Sequence, residues 1–135
     1  MGRVMNRVMV ALARAGVSLR GMHELRVRGR VSGRRRSVPV NVLHLDGARY
    51  LVAPRGQTHW VRNLRAAGAG ELRVGRRTEA FTAQELPDDA KPVVLKAYLT
   101  RWSLEVKSLF EGVNPSSTDE EFRRVADRYP VFRIR

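Results

Sequence analysis

The sequence predicts a mainly antiparallel β fold with flanking helices, closing as a small barrel. Three observations carry that reading. Apolar residues alternate with period two through residues 24–28 and 38–42. Asp46-Gly47 and Gly75-Arg76 stand between apolar runs as tight-turn signals. The chain has 135 residues, one domain's worth, and a chain of that size buries roughly two thirds of its unfolded surface without needing a disulfide or a metal. Tight hairpins cannot build a parallel sheet, which needs long crossovers. The expectation is therefore one barrel domain over residues 1–135, with an N-terminal helix and further helices outside the barrel.

Each element follows in order. Met5, Val8, Met9 and Leu12 fall at helical spacing with Arg3, Arg7 and Arg14 around them, a basic amphipathic helix. Such a helix either lies on a membrane surface or packs on its own domain, and four apolar residues make a weak anchor, which favours packing. Leu25 and Val27 share one face of a first strand; Val38, Val40 and Val42 alternate in a second, which continues to Leu45. Pro39 lies inside that pattern and so belongs at a sheet edge or a bulge, where its missing N–H is harmless. Asp46-Gly47 turns into Tyr50–Ala53. Thr58 to Ala67 reads as a helix with Thr58 as N-cap, Trp60, Leu64 and Ala67 on one face, and Gly68 as its stop. Leu72–Val74 and Thr78–Ala83 form the second hairpin around Gly75-Arg76. Pro87 opens a helix through Val93, Val94, Ala97, Tyr98 and Leu99, ending near Trp102. After a break at Gly112–Ser116, both Ser117 and Thr118 have a glutamate three residues on, a capping-box start for a helix to about Arg128. Val131–Ile134 closes as the last strand.

Charge is distributed unevenly. The formal net charge is +13, yet residues 1–77 carry +14 and residues 78–135 carry −1. A field of that sign attracts polyanions, whether nucleic acid, anionic lipid or a small phosphate- or carboxylate-bearing molecule. The chain has no cysteine, which removes disulfides, thiol catalysis, iron–sulfur clusters and cysteine zinc sites, and fits a cytoplasmic protein. No run approaches the ~20 apolar residues of a membrane span. Val8–Ala13, bracketed by Arg7 and Arg14, lacks a signal-peptide core, so membrane association rests on the first helix alone.

Most catalytic signatures are absent. His23, His44 and His59 stand far apart with no i,i+4 pair, so no metal site is expected, and there is no G-x-S-x-G elbow, Walker loop or complete G-x-G-x-x-G. One segment stands out: Gly29-Arg30-Val31-Ser32-Gly33-Arg34-Arg35-Arg36-Ser37-Val38-Pro39-Val40. Two glycines permit a tight turn with converging N–H groups, Ser32 and Ser37 supply hydroxyls, and four arginines surround it, the requirements for holding a phosphate or a run of carboxylates. A solvated Arg-rich turn has the same composition. No aromatic residue lies between Met22 and Tyr50 to stack a base, which argues against nucleic acid.

The segment Gly29-Arg30-x-Ser32-Gly33-x-x-Arg36-x-x-Pro39-Val40, the Asp46-Gly47 hairpin into Tyr50–Gly56, and His59-Trp60-Val61-Arg62-Asn63-Leu64 together resemble the deazaflavin-dependent nitroreductase family, which uses coenzyme F420 on a split β-barrel fold. The likeness runs from about Leu25 to Glu85 and reaches the closing Pro130–Ile134 strand. The resemblance implies a split β-barrel and an oxidoreductase that passes a hydride from reduced F420 to an electron-poor small molecule such as a quinone, enone or nitroaromatic. It implies pairing of two copies through the barrel. It also implies roles. Arg30, Ser32, Gly33 and Arg36 match the basic turn that meets the coenzyme's acidic tail and phosphate; Pro39 and Val40 match the strand along the deazaflavin ring; Asn41 follows at a position facing substrate. Ala53, Pro54, Arg55 and Gly56 match the loop around the phosphate and ribityl chain, and Trp60 and Asn63 match the helix start beneath it. The chain departs from the family pattern at Val31, where others carry lysine, at Pro54 in place of serine, at Val61 in place of tyrosine, and in the short Gln57–His59 connection. A flavin mononucleotide protein of the same superfamily is the alternative, and a basic module for nucleic acid or anionic membrane a second. Because a reduced deazaflavin carries the hydride itself, no side-chain nucleophile is required. Tyr98, Tyr50 and His59 are the candidates for any protein proton donor.

Overall fold

The computed structural model describes residues 22–135; the expected N-terminal helix falls in residues 1–21, outside them. Six strands, β1 (Met22–Arg28), β2 (Arg35–Leu45), β3 (Ala48–Val52), β4 (Ala69–Val74), β5 (Arg77–Glu85) and β6 (Val131–Ile134), close into a barrel in the order β1-β2-β3-β6-β5-β4. Every neighbouring pair is antiparallel. The hairpin signals explain why. Asp46 at φ 50° and Gly47 at φ 79° both occupy the left-handed region, as the turn that matches strand twist demands, and Gly75 at φ 60° leads the second turn.

β2 and β5 each change partner part-way. β2 pairs with β1 through Arg35–Asn41 and with β3 from Val42 to Leu45; β5 pairs with β4 through Arg77–Thr82 and with β6 from Ala83 to Glu85. These two switches divide the wall into two sheets, which is what splits the barrel. At Pro39, β2 has β1 on one flank and no strand on the other among the described residues, so the proline sits at an edge as its chemistry requires. Gly70 lies where β4 crosses close to β1: a Cβ there would stand 2.9 Å from the Arg26 carbonyl oxygen and 3.0 Å from Phe81 Cζ.

The inward positions recur with period two. Leu25 and Val27, Val42, Leu51, Leu72, Phe81, Phe132 and Ile134 fill the barrel, joined by Val61 and Leu64 of α1 (His59–Ala67). A second core lies outside, where α2 (Pro92–Arg101), α3 (Ser103–Val106) and α4 (Asp119–Val125) cover Leu43, Val52 and Val131 with an aromatic group of Tyr98, Trp102, Phe110 and Tyr129. Fully burying side chains of this size stabilises by roughly 1.5–3 kcal/mol each.

Three local readings are corrected. Pro87 precedes a single 3₁₀ turn, Asp88–Ala90, and the helix proper begins at Pro92. A helix running on from residue 88 would lose a hydrogen bond at Pro92 and clash with the preceding turn, whereas proline is at home in a first helical position. Buried Lys91 ties the two segments to the end of the chain through Asp88 (2.8 Å) and the Ala126 carbonyl (2.9 Å). In α1 the buried face is Val61, Asn63 and Leu64, with Ala67 exposed, because Asn63 turns toward the β1–β2 connection. Thr58 holds the N-cap position there with its hydroxyl buried and without a hydrogen-bond partner. Of the two possible capping boxes, Thr118 with Glu121 forms, while Ser117 accepts from the Asn114 N–H at 2.8 Å. Among the described residues no helix is long and apolar enough to cross a membrane.

Candidate active site

One mouth of the barrel is shaped by the β1–β2 connection and the start of α1. The connection is a compact turn: Gly29 N–H donates to the Arg34 carbonyl (2.7 Å), Gly33 N–H to the Gly29 carbonyl (3.0 Å), and Arg34 N–H to Ser32 Oγ (3.1 Å). Gly33 takes φ 72°, which favours glycine. A Cβ on Gly29 would approach Ser32 Oγ to 3.0 Å and the Arg34 carbonyl to 3.1 Å, so this position is tight as well.

Asn63 fixes the turn to the helix. Its Oδ1 accepts from both the Arg30 backbone N–H (3.1 Å) and Arg30 Nη1 (2.7 Å), and Asn63 is 5% exposed. Arg30 Nη2 lies 3.5 Å from His59 Nδ1, one helical turn before Asn63. The guanidinium is thus oriented by an amide oxygen and approached by an imidazole of one helix, and neither is a carboxylate.

Beneath this roof is a cavity of about 440 Å³. Its apolar part is Val27, Val38 and Trp60, continuous with the barrel core; its polar part is Arg30, Ser32, Arg36, Ser37, His59 and Asn63. Among the described residues no acidic side chain lines it. The Trp60 ring packs on Phe132 with centroids 6.1 Å apart, so the indole serves both the core and the cavity wall.

The structure therefore brings Arg30, Ser32, Arg36, Trp60 and Asn63 together, five of the residues singled out in the sequence. Gly33 lies on the other side of the same turn. Pro54, Arg55 and Gly56 line a separate cavity of about 390 Å³ with Arg128 and Tyr129, while Ala53 is buried in the barrel core. Val40 packs on that core, Pro39 is half-buried on β2, and neither lines the 440 Å³ cavity. Asn41 is bonded instead to Tyr98. Burial pushes the Tyr98 phenol up to about 12, against the opposing effect of that hydrogen bond. Tyr50 packs against the outer core. Of the three proton-donor candidates, only His59 lines the cavity. The residues that sequence reading passed over are Val27 and Val38. Period two was the available signal, since Val27 shares a face with Gly29, and Val38 with Arg36.

The F420H(2)-dependent quinone reductase family profile matches residues 3–107. The chain belongs to that family. No curated protein matches the chain. Among solved structures, the protein Atu2129 of Agrobacterium tumefaciens str. C58, described as of unknown function, is 18% identical with a TM-score of 0.63 over 93% of this chain. It is the longer protein, and the present chain spans about half of it, 52%. An F420-H2 dependent reductase, FDR-A, is 20% identical with a TM-score of 0.57, covering 86% of this chain and 95% of its own. A chain described as a domain-swapped dimer is 19% identical with a TM-score of 0.57, covering 99% and 95%. These likenesses show a shared fold; the family match is what makes this an F420-dependent reductase by class. The cavity fits such a coenzyme chemically. It offers two guanidinium groups and a hydroxyl for acidic groups, an apolar wall with an indole for a flat ring, and no acid to repel either.

Proposed function

We propose that the chain is a reductase that uses reduced F420 to reduce a small electron-poor acceptor, a quinone first and an enone or nitroaromatic by the same chemistry. The acid-free cavity that joins Arg30 and Arg36 to Val27, Val38 and Trp60 carries the reading. Bound, the reduced coenzyme supplies the hydride. The chain's part is to bind and orient it and to exclude water. Arg30 and Arg36, with Ser32 and the turn at Gly33, hold its acidic groups. Trp60 and Asn63 support it from below, and Pro39 and Val40 line the approach to its ring. Pro54, Arg55 and Gly56, which lead from the buried Ala53 toward α1, take the phosphate and ribityl chain where these extend past the cavity. Asn41 contributes to the acceptor side. Two copies pair through the barrel, a reading supported by the family and by the existence of a domain-swapped dimer with this fold.

Four single variants test the site. Arg36→Ala is expected to weaken F420 binding, followed by its fluorescence, by about 1.5–3 kcal/mol, as loss of a charge-assisted bond does where the bound coenzyme desolvates the contact. Arg30→Ala is expected to match it. Arg34→Ala and Arg35→Ala, which do not line the cavity and of which Arg35 already contacts Glu71, are expected to change binding by less than about 1 kcal/mol. Turnover with a simple naphthoquinone supplies the second readout. Four equal small losses would reduce the segment to a solvated basic face. Tight binding of flavin mononucleotide without F420 would move the chain to that alternative, and steeply salt-sensitive binding to duplex DNA or anionic vesicles with no cofactor affinity would end the enzyme reading.

A further inference from the structure

The opposite mouth of the barrel breaks the rule that the rest of the interior keeps. Alternation along β1 makes Leu25 and Val27 inward, so His23 is inward too; Val42 makes His44 inward, Leu51 makes Arg49 inward, and Phe81 makes Glu79 and Arg77 inward. These five positions call for apolar side chains if the barrel were sealed, and all five are polar. They surround a cavity of about 490 Å³, within the range of small-molecule sites, whose floor is Val42, Leu72 and Val74. It shares no lining residue with the first cavity. Val27 and His23, which line the two, are four residues apart on β1, about 13 Å at strand rise.

The charges of this mouth decide what it can hold. Arg49 and Glu79 bond across from β3 to β5 through two contacts of 2.8 Å each, so the single acid on the rim is already engaged. The Arg77 side chain, at the first position of β5, has no hydrogen bond or ion pair among the described residues, and its charge acts on Glu79 only through space. The rim therefore offers one uncommitted guanidinium and two imidazoles over an apolar floor. We propose that this second mouth binds a small carboxylate with a flat or branched apolar body, the carboxylate on Arg77 and the body against Val42, Leu72 and Val74. The site is independent of the F420 reading and stands or falls separately.

The chain's three histidines make the test direct, because two line this mouth and the third lines the other. Titrating the full chain with 2-naphthoate while following the imidazole Hε1 resonances by NMR, assigned with His23→Gln, His44→Gln and His59→Gln, is expected to shift His23 and His44 saturably at one shared midpoint, any shift of His59 following the separate midpoint of the first mouth. Arg77→Glu is expected to weaken that binding at least tenfold, with Arg77→Gln intermediate. An unchanged His59 resonance and an unchanged melting temperature would show that both variants are folded. Three unmoved resonances, a shift confined to His59, one midpoint common to all three, or full affinity in both Arg77 variants would each overturn the proposal.

Discussion

The two mouths of the barrel use the same cation in opposite ways. At the first, Arg30 is positioned by the amide oxygen of Asn63 and approached by His59, and among the described residues Arg36 has no acidic neighbour in the cavity. At the second, Arg49 is bound by Glu79 through two parallel bonds. An amide orients a guanidinium while leaving its charge to act on whatever enters; a carboxylate orients it equally well and cancels it. The distribution of acids thus separates ligand-facing cations from structural ones. Three cations on or beside the helices show the structural pattern, with Arg65–Glu85 (2.6 Å), Lys91–Asp88 (2.8 Å) and Arg124–Glu120 (3.3 Å) paired. Arg35 reaches Glu71 at 3.2 Å on the exposed side of the turn, an ion contact without an aligned hydrogen bond.

The sharpest way to break this contrast is to remove the amide. Asn63→Ala leaves the Arg30 backbone N–H and guanidinium without the buried acceptor they share, and is expected to cost about 1–3 kcal/mol of stability by urea denaturation. F420 affinity should fall with it, while the His23 and His44 resonances stay in place. Asn63→Asp is the informative partner. It keeps both acceptor bonds and so restores stability, but it converts the first mouth to the pattern of the second, and F420 affinity should stay low. Recovery of affinity in Asn63→Asp would show that the turn's shape, and not its free charge, binds the coenzyme.

A control of intermediate size lies away from both mouths. Thr118 caps α4 through the Glu121 N–H (3.2 Å), and Glu121 Oε1 accepts from the Thr118 N–H (3.0 Å). Thr118→Ala is expected to lower stability by about 1 kcal/mol and to leave ligand binding at both mouths unchanged. A change in either affinity would mean that the outer helical layer and the barrel mouths are energetically coupled.

How much of this was readable in advance depended on whether a feature is local. Hairpin turns, the Thr118 box and the strand alternation are set by residues within a few positions of each other, and the barrel follows from them. The meeting of Arg30 with Asn63 joins residues 33 apart, and no spacing rule announces it. The resemblance pointed to both residues but not to their bond. Pro87 misled because the tolerance of proline at a helix start applies equally to Pro92, and only the packing of Lys91 under the chain's end decides between them. The second mouth was legible in principle: continuing the alternation from Leu25 back to His23 and from Val42 on to His44 places both inward. What sequence alone lacked was the pairing register that brings Arg49, Arg77 and Glu79 to the same end.

The smallest effect comes from the carboxylate that distinguishes the second mouth. The hydrogen bonds from Arg49 hold the Glu79 carboxyl below its ordinary 4.5, with desolvation opposing. A group whose folded pKa is depressed contributes stability above its unfolded value and loses it as pH falls through the folded one. Glu79 should therefore help the fold at neutral pH, begin to lose that help as pH falls below about 4.5, and lose it fully once pH has fallen through the lower folded value. Its side chain is 56% exposed, so solvent screening limits the contribution to less than about 1 kcal/mol. Glu79→Gln is expected to lower stability slightly at pH 7 and to flatten the acid limb of the stability–pH curve, converging with the unsubstituted chain once the pH lies below the folded value of Glu79. The same change releases Arg49 from its carboxylate and gives this mouth the free-cation pattern of the other. 2-Naphthoate should then bind several-fold more tightly, with His23 and His44 still shifting at one shared midpoint. Weaker binding in Glu79→Gln would show that the Arg49–Glu79 pair shapes the mouth, and that neutralising its cation is not what separates the two ends.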